Sequence, residues 1–180
     1  MDKIVDSHGS SNGQRREPVE RVVPGPGQES VWDYPRPPRV EAVAERLRVV
    51  IDGTTVADTV NGLRVLETAG APVYYFPPQD VRLDLLESTS RMTVCEWKGT
   101  AVYHTYAATG RSVAEVAWSY PNPSPGYELI AGHLAFYAAK VDEAWVGEEL
   151  ATPQPGGFYG GWVTSRIAGP MKGEPGSMGW

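Results

Sequence analysis

The run Thr93-Val-Cys-Glu-Trp-Lys-Gly99 sets a thiol at Cys95, an indole at Trp97 and an amine at Lys98 beside a glycine. A thiol becomes a nucleophile when a base or positive charge lowers its pKa, and an ammonium can hold a carbonyl oxygen, enolate or carboxylate as a point charge. His104 falls on the next expected strand, where it would reach Cys95 across a hairpin as a support pair or a nucleophilic pair. His133 is the other histidine outside the N-terminal segment, and an imidazole near its ordinary pKa moves protons at neutral pH. Glu67 closes an apolar block, and partial loss of water there would raise its pKa and suit it to general base or acid duty. Arg64, three residues earlier, could hold a substrate's charge or pair with Glu67. Each group also has an ordinary structural reading: a core-filling thiol, a solvated turn lysine, a satisfied core histidine, a strand-end ion pair.

Aromatic residues would complete a pocket around these groups. Tyr75, Trp97, Tyr103, Trp118, Tyr120 and Tyr137 lie in expected strands or strand ends, and Tyr159 and Trp162 lie in Gly157-Phe-Tyr-Gly-Gly-Trp162. Such rings line sites for small organic molecules, and plain core packing must account for at least half of them. Asp80, after Pro77-Pro-Gln, is expected to cap the following turn. Ser119 and Ser165 lack the G-x-S-x-G context of a serine hydrolase. No close-spaced histidine motif suggests a metal, and no cofactor is implied.

Short β-strands joined by turns must position these groups. Arg46–Ile51 and Thr54–Asp58 flank Asp52-Gly53, a hairpin signal because the primed turns need positive φ. Leu63–Glu67 and Val73–Phe76 are further strands, the second stopped by Pro77-Pro78. Residues 78–81 read as one turn, and Val81, Leu83 and Leu85 alternate as in a half-buried strand. Met92–Trp97, Thr100–Ala107 and Ser112–Tyr120 form a three-strand meander, with Lys98-Gly99 as the first turn. Leu129–Leu134 is a short helical turn, followed by strands at Ala135–Ala138 and Glu143–Val146.

The composition agrees. Twenty glycines and sixteen prolines in 180 residues mean many turns, which favours a β-rich fold. The length suits one domain over residues 29–180, with residues 1–28, including His8, as a polar disordered tail and the Gly-rich C-terminus as a wrap. A net charge of −6 without a basic stripe argues against nucleic acid, and no apolar run suits a membrane span. A single cysteine excludes an internal disulfide and a multi-thiolate zinc site, and the absence of a signal-like N-terminus predicts a cytoplasmic protein. Edge strands of a small β domain make a homodimer plausible.

Ordered blocks then resemble a known family. Leu63-Arg-Val-Leu-Glu-Thr68, Val73-Tyr-Tyr-Phe-Pro77, Cys95-Glu-Trp-Lys-Gly99, Ala117-Trp-Ser-Tyr-Pro121, Ala135-Phe-Tyr137, Gly157-Phe-Tyr-Gly-Gly-Trp162 and Lys172-Gly173 are similar in order and spacing to the DUF427 family, a bacterial and fungal domain of unknown function. The resemblance implies a mainly β fold of the β-tent or Mss4-like kind, two antiparallel sheets meeting over a pocket. That family also carries a nucleotidyltransferase-like label, but no phosphate-cradling glycine loop or paired-carboxylate motif supports it here. His104 and His133 stand where members of the family more often carry aromatic residues, which would suit a catalytic member.

These residues predict a cofactor-independent acid–base enzyme acting on a carbonyl-bearing small molecule, by cyclisation or hydrolysis of a polyketide-like or lactone-like compound. Glu67 or His133 would remove a proton, and Lys98 with a tyrosine hydroxyl would hold the oxyanion. The alternative is a small-molecule-binding or interaction domain without catalysis, which needs the aromatic pocket but no proton-transfer group.

Overall fold

The computed structural model describes residues 19–108, 110–177 and 180. The strands, in chain order, are β1 (Glu29–Ser30), β2 (Arg39–Ala42), β3 (Leu47–Ile51), β4 (Thr54–Thr59), β5 (Leu63–Leu66), β6 (Val73–Phe76), β7 (Leu86–Cys95), β8 (Gly99–Ala108), β9 (Arg111–Ser119), β10 (Leu134–Phe136), β11 (Glu143–Val146), β12 (Glu149–Leu150), β13 (Thr152–Pro153), β14 (Trp162–Val163) and β15 (Ile167–Ala168). Helical structure among the described residues is confined to single 3₁₀ turns. The protein is mainly β.

Two antiparallel sheets carry the architecture. The larger has the order β2-β5-β6-β10-β9-β8-β7, and the smaller β12-β11-β3-β4. β3 presents Leu47, Val49 and Ile51 at alternate positions, the period of a strand with one buried face. They pack with Val56 and Ala144 of the small sheet against Phe76, Val116 and Phe136 of the large one. Trp162 from β14 is fully buried in the same layer, where its Nε1–H donates to the Phe136 carbonyl at 2.8 Å.

Local chemistry sets the joints. Asp52 and Gly53 both have positive φ, 52° and 68°, and they turn β3 into β4 as expected for this dipeptide. The alternating strand expected through Val81, Leu83 and Leu85 does not form. Leu83–Leu85 is a 3₁₀ turn, because Arg82 N–H donates to the Val56 carbonyl and Leu85 N–H donates back to Arg82. Only Val81 pairs, in a single bridge to Ala57. The β7–β8 turn has three residues rather than the expected two: Cys95 pairs with Gly99, leaving Glu96, Trp97 and Lys98 in the turn and Gly99 (φ 92°) at the head of β8.

The large sheet's other face carries a second apolar cluster containing Tyr75, Tyr103, Trp118 and Tyr120, with Cys95, Trp97 and Tyr137 packed against it. The C-terminal segment after β13 crosses part of this face as a strap. It comes so close that a Cβ on Gly160 would lie 2.1 Å from the Trp118 ring. Residues 1–18 of the expected N-terminal tail lie outside the described residues; Val22 N–H donates to the Gly169 carbonyl at 3.0 Å, and β1 pairs in parallel with β15. Among the described residues, no helix is long and apolar enough to cross a membrane.

Candidate functional site

β5 ends in a turn, Glu67 to Gly70, that projects a carboxylate toward the strap. The turn is closed by Gly70 N–H donating to the Glu67 carbonyl, and Ala69 within it adopts a left-handed φ of 64°. That conformation costs a non-glycine residue roughly 1–2 kcal/mol and is held here by two anchors. Ala69 N–H donates to Val31, and the Ala69 carbonyl accepts from Lys172 N–H at 2.8 Å.

The strap is fastened by Gln154. This side chain is buried; its Oε1 accepts from Ala71 N–H at 2.9 Å and its Nε2 donates to the Lys172 carbonyl at 2.9 Å. Gly161 passes beside it, where a Cβ would meet Oε1 at 2.3 Å. Glycines at 160 and 161 are therefore required by close approach rather than by flexibility.

Between turn and strap lies a cavity of about 90 Å³. Val65, Val73 and Ala71 give it an apolar wall; Glu67, Lys98, Lys172, Thr68 and Tyr159 give it polar groups. Glu67 lies 3.6 Å from the Lys172 ammonium and 3.8 Å from the Arg36 guanidinium. Lys98, by contrast, has no ion-pair partner among the described residues. Its carbonyl accepts from Ser124 N–H at 3.0 Å, which ties the β7–β8 turn to the proline-rich loop and fixes where the amine starts.

Of the residues expected to do chemistry, the cavity unites Glu67, Lys98 and Tyr159. Cys95 and His104 do not pair. The β7–β8 turn has three residues where a two-residue turn was expected, which inverts the faces of β8, so Tyr103, not His104, shares the Cys95 side. Thr93 Oγ1 and Tyr103 Oη meet there at 2.8 Å. His104 lies on the opposite face, with Nε2 3.0 Å from Ser119 Oγ and Nδ1 3.4 Å from Ser88 Oγ. Burial lowers its pKa. His133 is set in the loop before β10, its Nδ1 3.3 Å from the Ala131 carbonyl, and does not line the cavity. Asp80 accepts from the Thr59 hydroxyl at 2.6 Å and makes no cap of its turn.

Arg64 does not pair with Glu67. It alternates to the other side of β5, where it binds Glu29 and Glu41 and lines a different cavity. Tyr75, Trp97, Tyr103, Trp118, Tyr120 and Tyr137 belong to the apolar cluster that begins behind Val65 and Val73, the residues shared with the cavity wall. Burial drives the phenols of Tyr75, Tyr120 and Tyr137 well above their ordinary range, so they are neutral there. Trp162 is a core pillar between Tyr74 and Phe76. No local sequence signal marks Lys172 or Gln154 as site residues. Gln154 stands between two prolines with nothing in its local pattern to mark burial, although Lys172-Gly173 was one of the blocks carrying the family resemblance.

The fold and the cavity together define a two-sheet β domain whose C-terminal strap closes a small pocket containing a carboxylate and an amine. A family model described as "Domain of unknown function (DUF427)" matches residues 39–147, and the chain belongs to that family. No curated protein matches the chain. The matched span supplies Glu67 and Lys98, while Gln154, Tyr159 and Lys172 lie beyond it.

Proposed function

We propose that the Glu67–Lys98 cavity is an acid–base site acting on a carbonyl group of a small organic molecule, in lactone hydrolysis or in a related ring closure. The observation that carries this reading is the presence of a carboxylate and an unpaired ammonium in one pocket with an apolar wall. The carboxylate accepts a proton, and the ammonium stabilises the negative oxygen that forms as the proton leaves.

In hydrolysis, Glu67 takes a proton from water as the water oxygen bonds to the lactone carbonyl carbon. The carbonyl π pair becomes an oxyanion beside Lys98 and the Tyr159 hydroxyl. Collapse re-forms the carbonyl and breaks the ring C–O bond, and protonated Glu67 returns its proton to the departing alkoxide. In ring closure, Glu67 instead takes the proton from the carbon next to a carbonyl, and Lys98 holds the enolate. The enolate carbon then bonds to a second carbonyl carbon of the same molecule, whose π pair moves onto its oxygen. Protonated Glu67 returns the proton to that alkoxide. The cavity admits the reacting head of the molecule, while the neighbouring aromatic surface and exposed Phe158 suit an extended apolar remainder.

A second reading, ligand binding without turnover, is favoured by one feature. Lys172 and Arg36 both lie within ion-pair distance of Glu67, so its carboxylate also has an ordinary structural role in fastening the turn to the strap. A panel of aliphatic and aryl lactones and linear polyketide-type esters, followed by mass spectrometry, separates the two. Acid–base turnover predicts product formation that falls about 100-fold or more in kcat in Lys98→Met. Ligands that bind and return unchanged establish the binding reading.

A further inference from the structure

On the other side of β5 lies a larger cavity, of about 460 Å³, which the acid–base reading does not use. It opens where the segment between β2 and β3 meets β5, β6, β11 and the strap residues 164–167. Its size falls in the range of small-molecule sites.

The polar lining is unusual in its balance. Two guanidinium groups, Arg64 and Arg166, and two carboxylates, Glu29 and Glu45, line the same space. They are paired as Arg64 with Glu29 and Arg166 with Glu45. Arg64 is held further by Glu41 at 2.9 Å, with only 23% of its side chain exposed. Tyr74 is 4% exposed and lines the cavity, and its hydroxyl makes no hydrogen bond among the described residues. Burial pushes that phenol up to about 12, with Arg64 opposing the rise and Glu29 and Glu45 adding to it. Apolar surface comes from Val43 and Val146.

The half-buried Arg64 guanidinium carries a desolvation cost that stability alone does not require, while Arg166 and Glu45 form an exposed pair at the rim, open to exchange with a ligand. A ligand that is purely anionic would meet two carboxylates, and one that is purely cationic would meet two guanidinium groups. A ligand bearing both charges meets a partner for each, and the Tyr74 hydroxyl supplies a neutral donor or acceptor between them.

We propose that this cavity is a binding site for a small zwitterion of the α-amino-acid type, a free amino acid or dipeptide with an apolar side chain. Its carboxylate lies toward Arg166 and Arg64, its ammonium toward Glu45 and Glu29, and its side chain against Val43 and Val146. The site is independent of the carbonyl chemistry at Glu67.

Calorimetric titration of the full chain at neutral pH tests this with L-phenylalanine, L-leucine and leucyl-phenylalanine as probes. Each probe that binds is compared with its N-acetyl form, which lacks the ammonium, and its amide, which lacks the carboxylate. Saturable binding of at least one zwitterion, weakened tenfold or more in both blocked forms, is the expected result. Amide resonances of residues 42–45 and 166–167 should shift with the same affinity. Tyr74→Phe and Glu45→Gln, each checked for an unchanged circular dichroism spectrum, should weaken binding at least fivefold. Glu67→Gln should leave it unchanged, so loss of carbonyl turnover and loss of zwitterion binding are separate outcomes. No saturable binding of any probe, equal binding of the blocked forms, or shifts confined to residues outside this cavity would overturn the proposal.

Discussion

Gln154 clamps Lys172 to the turn that carries Glu67: one end of its amide accepts from Ala71 N–H, and the other donates to the Lys172 carbonyl, both at 2.9 Å. A single buried side chain thus fixes the distance between the turn and the strap, and with it the 3.6 Å approach of the Lys172 ammonium to Glu67. Replacing Gln154 with leucine leaves the Ala71 amide without a partner, at a cost of about 1–3 kcal/mol. Urea denaturation should show this loss, together with weaker protection of the Ala71 and Lys172 amides from hydrogen exchange. An unchanged midpoint would mean that the strap is held elsewhere.

Gly160→Ala forces a methyl group into the Trp118 ring, since the Cβ would lie 2.1 Å from it. Overpacking of this kind costs roughly 1–3 kcal/mol. Thermal melts should register the drop, and Trp118 fluorescence should change as the ring is displaced. At Gly70, where the nearest atom to an added Cβ is 3.5 Å away, the same substitution should cost less.

Cys95→Ser should retain turnover within about twofold, because the thiol packs against the aromatic cluster and does not line the Glu67–Lys98 cavity. The nearest groups are aromatic, and His104 faces the other way. A loss of 100-fold or more, with the fold intact by circular dichroism, would restore the thiol to the chemistry.

Two pH effects follow from the charges. The His104 pKa is lowered by burial, so the unfolded chain takes up the proton more readily. Its contribution to stability is present above the unfolded value near ~6.5 and is lost as pH falls from there through the lowered folded value. The melting temperature of His104→Gln should therefore fall less than that of the native protein across this acidic window. Asp142 loses stability in the same direction, but from a gained partner rather than from burial. The Arg111 guanidinium and the Asp52 N–H hold its carboxyl down at about 2. Stability from this pair is present above the ordinary aspartate value and is lost as pH falls toward about 2. Carbon-detected NMR titration should place Asp142 there, and Arg111→Ala should move it up.

The sequence made much of this legible where short-range rules decide the structure. Asp52-Gly53 announced its hairpin because both residues tolerate positive φ. Alternation in β3 marked the core face, and the local context of Glu67, Lys98 and Tyr159 singled out three cavity residues. Face assignment failed at Cys95 and His104 for a geometric reason. A Lys98-Gly99 turn would set the even positions of β8 beside Cys95, whereas the observed Cys95–Gly99 pairing sets the odd ones there. One residue more in the turn is invisible to hydrophobic pattern when both faces of a strand carry apolar residues, as with Tyr103 and Tyr106 here. Gln154 and Lys172 escaped because strap docking is a long-range event. The clamp joins positions 71, 154 and 172, which no local periodicity connects.

Turnover of a lactone or polyketide-type ester by the native protein, Glu67→Asp and Glu67→Gln, all three confirmed folded, tests the central claim most directly. The account predicts measurable turnover in the native protein, a partial loss in Glu67→Asp, and a fall of about 100-fold or more in kcat in Glu67→Gln with ligand affinity largely retained. A folded Glu67→Gln protein that turns substrate over at the native rate would contradict it.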